Sequence, residues 1–162
     1  MITTNNITKK YGDFTAINDL SFNVNKGEIL CLLGANGAGK STIINILLNF
    51  TLPTLGTAEI NNLDVIKNPI KTKEFLTYIP ENLMLYPTLS AVENLDYFTK
   101  LSNKTFDQQQ LQGYLSEAGL EKAAHNNRVN TFSKGMRQKV GIALAIAKAV
   151  SYTHLTLPTM FE

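Results

Sequence analysis

Tryptophan is absent from the sequence, and cysteine occurs once, at Cys31. One thiol cannot close an internal disulfide, so no disulfide framework organises the chain. Cys31 sits in the apolar run Glu28 to Leu33 (EILCLL), where a buried, inert thiol is expected. No run of about 18 apolar residues occurs, which excludes a membrane-spanning helix. The opening MITTNNITKKYG has no apolar signal-peptide stretch, so a cytosolic location is expected. Arginine is scarce: only Arg128 and Arg137 stand among 15 basic residues, the others being lysine, and asparagine is abundant. With a net charge of +2, this bias fits an A/T-rich gene better than a nucleic-acid surface, and no nucleic-acid partner is expected. Histidine is limited to His125 and His154, both expected at the surface. Neither an internal repeat nor a low-complexity segment is visible.

What is present is a 162-residue chain, 44% hydrophobic, which suits one globular domain. Its first half reads as strands and turns. Phe22 and Val24 alternate with polar residues before the turn Asn25-Lys26-Gly27. The run Glu28 to Leu33 reads as a strand buried on both faces. Ser41 to Leu48 has helical spacing, Thr57 to Ile60 reads as a strand, and Phe75 to Ile79 as another, stopped by Pro80. The middle is helical. Ser90 and Glu93 form a capping-box pattern before a face of Leu95, Phe98 and Leu101. Asp107 can cap a second helix through Leu111, Leu115 and Ala118, ended by Gly119. Ser133 can cap a third, through Met136, Val140 and Leu144.

Between the EILCLL run and the first helix stands Gly34-Ala35-Asn36-Gly37-Ala38-Gly39-Lys40-Ser41, which fits G-x-x-x-x-G-K-[ST]. Backbone amides that converge on a phosphate need glycines that accept positive φ and allow close approach. The helix beginning at Lys40 adds the partial positive charge of its N-terminus. Lys40 is placed to reach the β- and γ-phosphates and the Ser41 hydroxyl to bind Mg²⁺. By itself the motif indicates a nucleoside triphosphate, a ligand shared by kinases, GTPases, helicases and transport ATPases.

A second segment, Thr131-Phe132-Ser133-Lys134-Gly135-Met136-Arg137-Gln138-Lys139, suits an ordinary capped helix when taken alone. Following a P-loop, it resembles the signature of ATP-binding cassette (ABC) proteins, usually Leu-Ser-Gly-Gly-Gln. Phe132, Lys134 and Met136 replace the Leu, the first Gly and the Gln, while Ser133 and Gly135 are kept. The stretches SFNVNKGEILCLLGANGAGKSTIINILLNF and TLSAVENLDYFTKL also resemble the family, so that the resemblance covers about residues 1 to 149.

The resemblance implies an α/β fold: a P-loop NTPase cassette with an antiparallel β subdomain and a helical insert at about 82–132, incomplete at its C-terminus. It implies ATP and Mg²⁺ as ligands. Tyr11 would stack on adenine, and Gly34, Asn36, Gly37, Gly39, Lys40, Ser41 and Thr42 would hold the phosphates. Ser133, Gly135 and Met136 would complete the nucleotide pocket of a second cassette. Glu81 stands where the family usually has a Gln that touches Mg²⁺, so Ser41 and Glu81 are the implied metal ligands. A Pro80-Glu81 pair resembles the ATPases of drug, ion and antibiotic exporters. Implied partners are a second cassette and a membrane permease, with the chain peripheral on the cytoplasmic face.

After Ala149 nothing matches the strand that carries the family's Mg²⁺-supporting Asp and catalytic Glu, and neither histidine has the context of the family's switch His. No catalytic residue is therefore assigned. The expected reading of 1–149 is a partial cassette with an unpaired sheet edge and low stability in isolation. Val150 to Thr159 resembles translated sequencing adapter, and 150–162 is expected to be a non-native tail. Two other readings stay open: a module that binds ATP without hydrolysing it, and a non-transport ABC protein.

Overall fold

A computed structural model describes residues 1–148. Ala149 and 150–162, with His154 and the expected tail, lie outside the described residues. The described chain forms two compact units, Met1–Leu76 and a second beginning at Thr77, each with its own apolar core.

The first unit is built on an antiparallel sheet. Strand β1 (Ile2–Tyr11) pairs on one side with β2 (Phe14–Val24) and on the other with β3 (Leu55–Ile60), which continues into the short β4 (Leu63–Asp64); the order is β2-β1-β3-β4. Gly12 turns the first hairpin at φ +57°, and Asn61 and Asn62 turn the β3–β4 hairpin at φ +51° and +63°. Consecutive positive φ values match the right-handed twist of the flanking strands, and asparagine tolerates them. Helix α1 (Lys40–Leu47) buries Ile43, Ile44, Ile46 and Leu47 in the core with Ile2, Ile7, Val24, Ala58 and Ile60. Helix α2 (Pro69–Glu74) follows, with Pro69 in its first turn and Thr72 buried.

Three expectations in this unit are corrected. Glu28 to Leu33 is not a strand: Leu30 and Leu32 pack on the core, but Ile29 and Leu33 are about three-quarters exposed, at 74% and 75%. The apolar alternation is real, but a strand also needs a laddered neighbour, and among the described residues none pairs with this segment. Cys31 is exposed for the same reason, rather than buried. Phe75 to Ile79 is likewise not a strand; Phe75 ends α2, its N–H donating to the Thr72 carbonyl at 3.2 Å.

The second unit is helical: α3 (Ala91–Lys100), α4 (Gln108–Glu117) and α5 (Lys134–Lys148), with two short 3₁₀ turns between α4 and α5. Its caps follow the sequence. Ser90 Oγ accepts from the Glu93 N–H at 3.2 Å, and the Glu93 carboxylate accepts from the Ser90 N–H at 2.7 Å. Asp107 and Gln110 repeat the exchange at 2.8 and 3.0 Å. Gly119, at φ +82°, closes α4. Leu95, Leu111, Leu115, Phe132, Val140 and Ala143 are the heart of the core.

Two corrections belong here. Leu101 does not share the buried face of α3 and is 65% exposed, because the helix ends at Lys100 and Leu101 is its C-cap. Asn94 and Thr99 occupy buried positions instead. His125 is buried, not superficial: its ring Nε2 lies 3.0 Å from the Leu120 carbonyl, and its own carbonyl accepts the Val92 N–H at 3.1 Å. A polar ring is tolerated in this core because the turn after α4 leaves a carbonyl that needs a partner.

Candidate functional site

The loop Gly34–Gly39 is shaped by its glycines. Gly37 and Gly39 adopt φ +85° and +84°, values that side chains with a β-carbon rarely accept. A β-carbon on Gly39 would fall 2.5 Å from the Ala16 carbonyl oxygen and 3.1 Å from the Ile17 side chain, so β2 itself forbids one. Ala38 N–H donates to the Ala35 carbonyl at 3.1 Å, closing the turn. Gly39 is the N-cap of α1 and makes no side-chain cap, and the first turn of α1 has no acidic residue. The first-turn amides are thus left without a side-chain partner, the arrangement that suits an anion.

Lys40 arches back over this loop. Its ammonium donates to the main-chain carbonyls of Gly34 and Ala35, the latter at 2.8 Å. Asn36, Gly37 and Ser41 are exposed, and Thr42 is half-buried. A concavity of about 290 Å³ lies beside the loop, walled by Ala16, Ile17 and Asn18 of β2 together with Leu32, Leu33 and Lys40. These residues fit a magnesium nucleotide by their chemistry: glycine amides and a helix N-terminus for the phosphates, an ammonium for their charge, and an exposed hydroxyl oxygen at Ser41 for a hard cation.

Tyr11 ends β1 and faces Phe14 across the hairpin, while Lys10 pairs with Thr15. Ala16, the residue against which Gly39 packs, therefore lies near this hairpin end. Tyr11 is 50% exposed, and the Lys9 ammonium stands 4.8 Å from the centre of its ring.

The second unit holds the other expected residues. Ser133, Lys134 and Gly135 are exposed at the start of α5, and Met136 is half-buried. Ser133 Oγ accepts from the Met136 N–H at 3.2 Å, so the serine caps its own helix. The Glu81 carboxylate pairs with the Lys134 ammonium at 3.0 Å. Gln138 Nε2 donates to the carbonyls of Pro80 at 3.2 Å and Glu81 at 2.6 Å. One turn further along, Gly141 is so close to Ile79 and Leu83 that a β-carbon would lie 3.0 and 2.8 Å from them. Positions 134, 138 and 141 form one stripe of α5, which meets the loop at Ile79, Pro80, Glu81 and Leu83. The spacing i, i+4, i+7 was the available signal for Gln138 and Gly141; nothing in it named Glu81 as the partner. Ser41 and Glu81, the two implied metal ligands, belong to different units.

A glycine loop on the uncapped start of a helix is the phosphate-loop arrangement of nucleotide-binding proteins. The sequence matches the ABC transporter family over residues 17–155. The chain belongs to that family. It is 32% identical over 162 residues to the linearmycin resistance ATP-binding protein LnrL of Bacillus subtilis, covering 99% of this chain and 52% of that protein. It is 35% identical to the bacitracin transport ATP-binding protein BcrA of Enterococcus faecalis, covering 90% and 47%. The dimeric ATP-binding cassette MJ0796, solved in a post-hydrolysis state with ADP and Pi, superposes with a TM-score of 0.73 at 27% identity, covering 91% of this chain and 70% of that one. The chain spans about half the length of the curated relatives it matches.

Proposed function

We propose that the chain is the ATP-binding portion of the nucleotide-binding subunit of an ABC exporter. The observation that carries this reading is the Gly34–Ser41 loop on the uncapped start of α1, with Lys40 lying across its mouth. Loop amides and Lys40 bind the phosphates, Ser41 supplies an oxygen to Mg²⁺, and Tyr11 offers its ring face to adenine. Glu81 is the second candidate for Mg²⁺; its carboxylate would have to leave Lys134 to serve. The exposed start of α5, with Ser133 and Gly135, meets the γ-phosphate of nucleotide held by a second cassette. Mg²⁺, when bound, neutralises the phosphate charge. In the complete subunit, closure of two cassettes drives a permease at the cytoplasmic face of the membrane. The relatives named for antibiotic resistance and transport support export, as does the Pro80-Glu81 pair.

Titration of the purified chain with Mg-ATP tests the site. Lys40→Ala should weaken binding by about ten- to a hundredfold, the loss expected for a charge-assisted contact to phosphate. Unchanged affinity in a folded Lys40→Ala variant would overturn the assignment.

A further inference from the structure

The Lys9 ammonium is engaged twice. It donates to the Leu52 main-chain carbonyl at 2.7 Å and stands over the Tyr11 ring at 4.8 Å from its centre. The spacing on β1 brings the ring contact about: Lys9 and Tyr11 are two residues apart on one strand, and such residues share a face. The β1–β2 register shifts on both sides of Lys9, but Ile7, Lys9 and Lys10 face Leu20, Ile17 and Thr15, so the extra residues lie on β2 and the alternation of β1 is kept.

The acceptor is fastened as well. Thr54 N–H donates to the Thr8 carbonyl at 2.8 Å, and the Thr54 hydroxyl accepts from the Lys10 N–H at 2.9 Å. The segment that follows α1 is therefore tied to the end of β1, and the Leu52 carbonyl gives the ammonium a fixed seat. Lys9 sits between that seat and the ring.

We propose that Lys9 is a positioning residue for the nucleobase: it covers one face of the Tyr11 ring and leaves the opposite face for the base. The inference rests on the reading of Tyr11 as the stacking residue. A cation held on one face draws π density towards itself, which makes the other face a better partner for an electron-rich purine. It also restricts the ring before the ligand arrives, so less side-chain freedom is lost on stacking. With both of its contacts inside the protein, the ammonium acts on the nucleotide through the ring.

The test compares ATP with inorganic tripolyphosphate, both with Mg²⁺, on the full chain by calorimetric titration. Lys9→Met should weaken ATP by about two- to fivefold, the size of an exposed cation–π contact, and leave tripolyphosphate unchanged. Lys9→Arg should keep the affinity for ATP, and in a Tyr11→Ala background Lys9→Met should have no further effect. Equal weakening of ATP and tripolyphosphate would overturn the inference, since Lys9 would then act on phosphate. An unchanged ATP affinity in Lys9→Met, alongside a loss in Tyr11→Ala, would overturn it and leave the role of Tyr11 standing. Tyr11→Ala without any effect on ATP would overturn the stacking reading itself. Lys9→Gln, which keeps a donor and removes the charge, gives the same comparison if the Met variant does not fold.

Discussion

Gly39 lies directly against Ala16: a β-carbon on the glycine would sit 2.5 Å from the alanine carbonyl oxygen. The phosphate-type loop is thus seated on the β1–β2 hairpin, and both φ and space demand glycine. Gly39→Ala should destabilise the first unit by about 1–3 kcal/mol, the cost of forcing a β-carbon into a left-handed, occupied position. Gly113, exposed inside α4 with nothing within 4 Å of a β-carbon, is the control. Gly113→Ala should stabilise by about 0.5–1 kcal/mol, because alanine is the better helix former. Urea unfolding of the two variants checks the opposite signs.

Asn94 is fully buried and is the hub of the turn before α3. Its Oδ1 accepts the Tyr86 N–H at 2.8 Å, and its Nδ2 donates to the carbonyls of Tyr86, Leu89 and Ser90 at 3.1, 3.3 and 2.9 Å. Asn94→Leu keeps the volume and removes the acceptor of the Tyr86 N–H, while the three carbonyls keep the main-chain N–H groups of Leu89, Val129 and residue 94. The expected loss is about 1–3 kcal/mol, with faster amide exchange at Tyr86. A variant as stable as the parent would show that water replaces the amide.

Glu93 is held below the usual carboxylate range, first by the hydrogen bond from the Ser90 main chain, then by the Ser90 side chain, with Arg128 adding a smaller effect. Since the folded pKa is depressed, the contribution is present above the unfolded value and is lost as pH falls through the folded one. Acidification through and below the ordinary carboxylate range should therefore loosen the start of α3. In Glu93→Gln that pH dependence should vanish. Amide exchange at Ser90 and Glu93 reports it.

Along the α5 stripe, the two polar contacts to the Glu81 loop should differ in weight. Lys134 and Glu81 are both more than half exposed, so Lys134→Ala should cost at most about 1 kcal/mol and salt should mask it. Gln138 donates to two main-chain carbonyls, and Gln138→Ala should cost about 1–2 kcal/mol with little salt dependence. Thermal melts at low and high salt separate them. The reverse order would mean that charge, not the amide, holds the loop.

Local chemistry was readable where it is local. The Ser90 and Asp107 capping boxes, the Gly119 stop, the Ser133 cap and the start of α1 at Lys40 depend on residues close in sequence, and all five stand where those residues place them. Segments whose state depends on distant partners were not readable. Glu28 to Leu33 has a strand's composition without a ladder among the described residues, and this also left Cys31 exposed. His125 looked superficial because its polar neighbours conceal the Leu120 carbonyl it meets.

The sequence by itself determined the glycine-lysine loop and the family, because amide convergence and positive φ permit few residues at those positions. Tertiary structure decided what the side chains around those motifs face. Lys9 on the Leu52 carbonyl, Glu81 on Lys134 and Ala16 beneath Gly39 join residues from separate segments. Such contacts arise only when strand register and helix packing bring distant backbone together, and no local spacing encodes them.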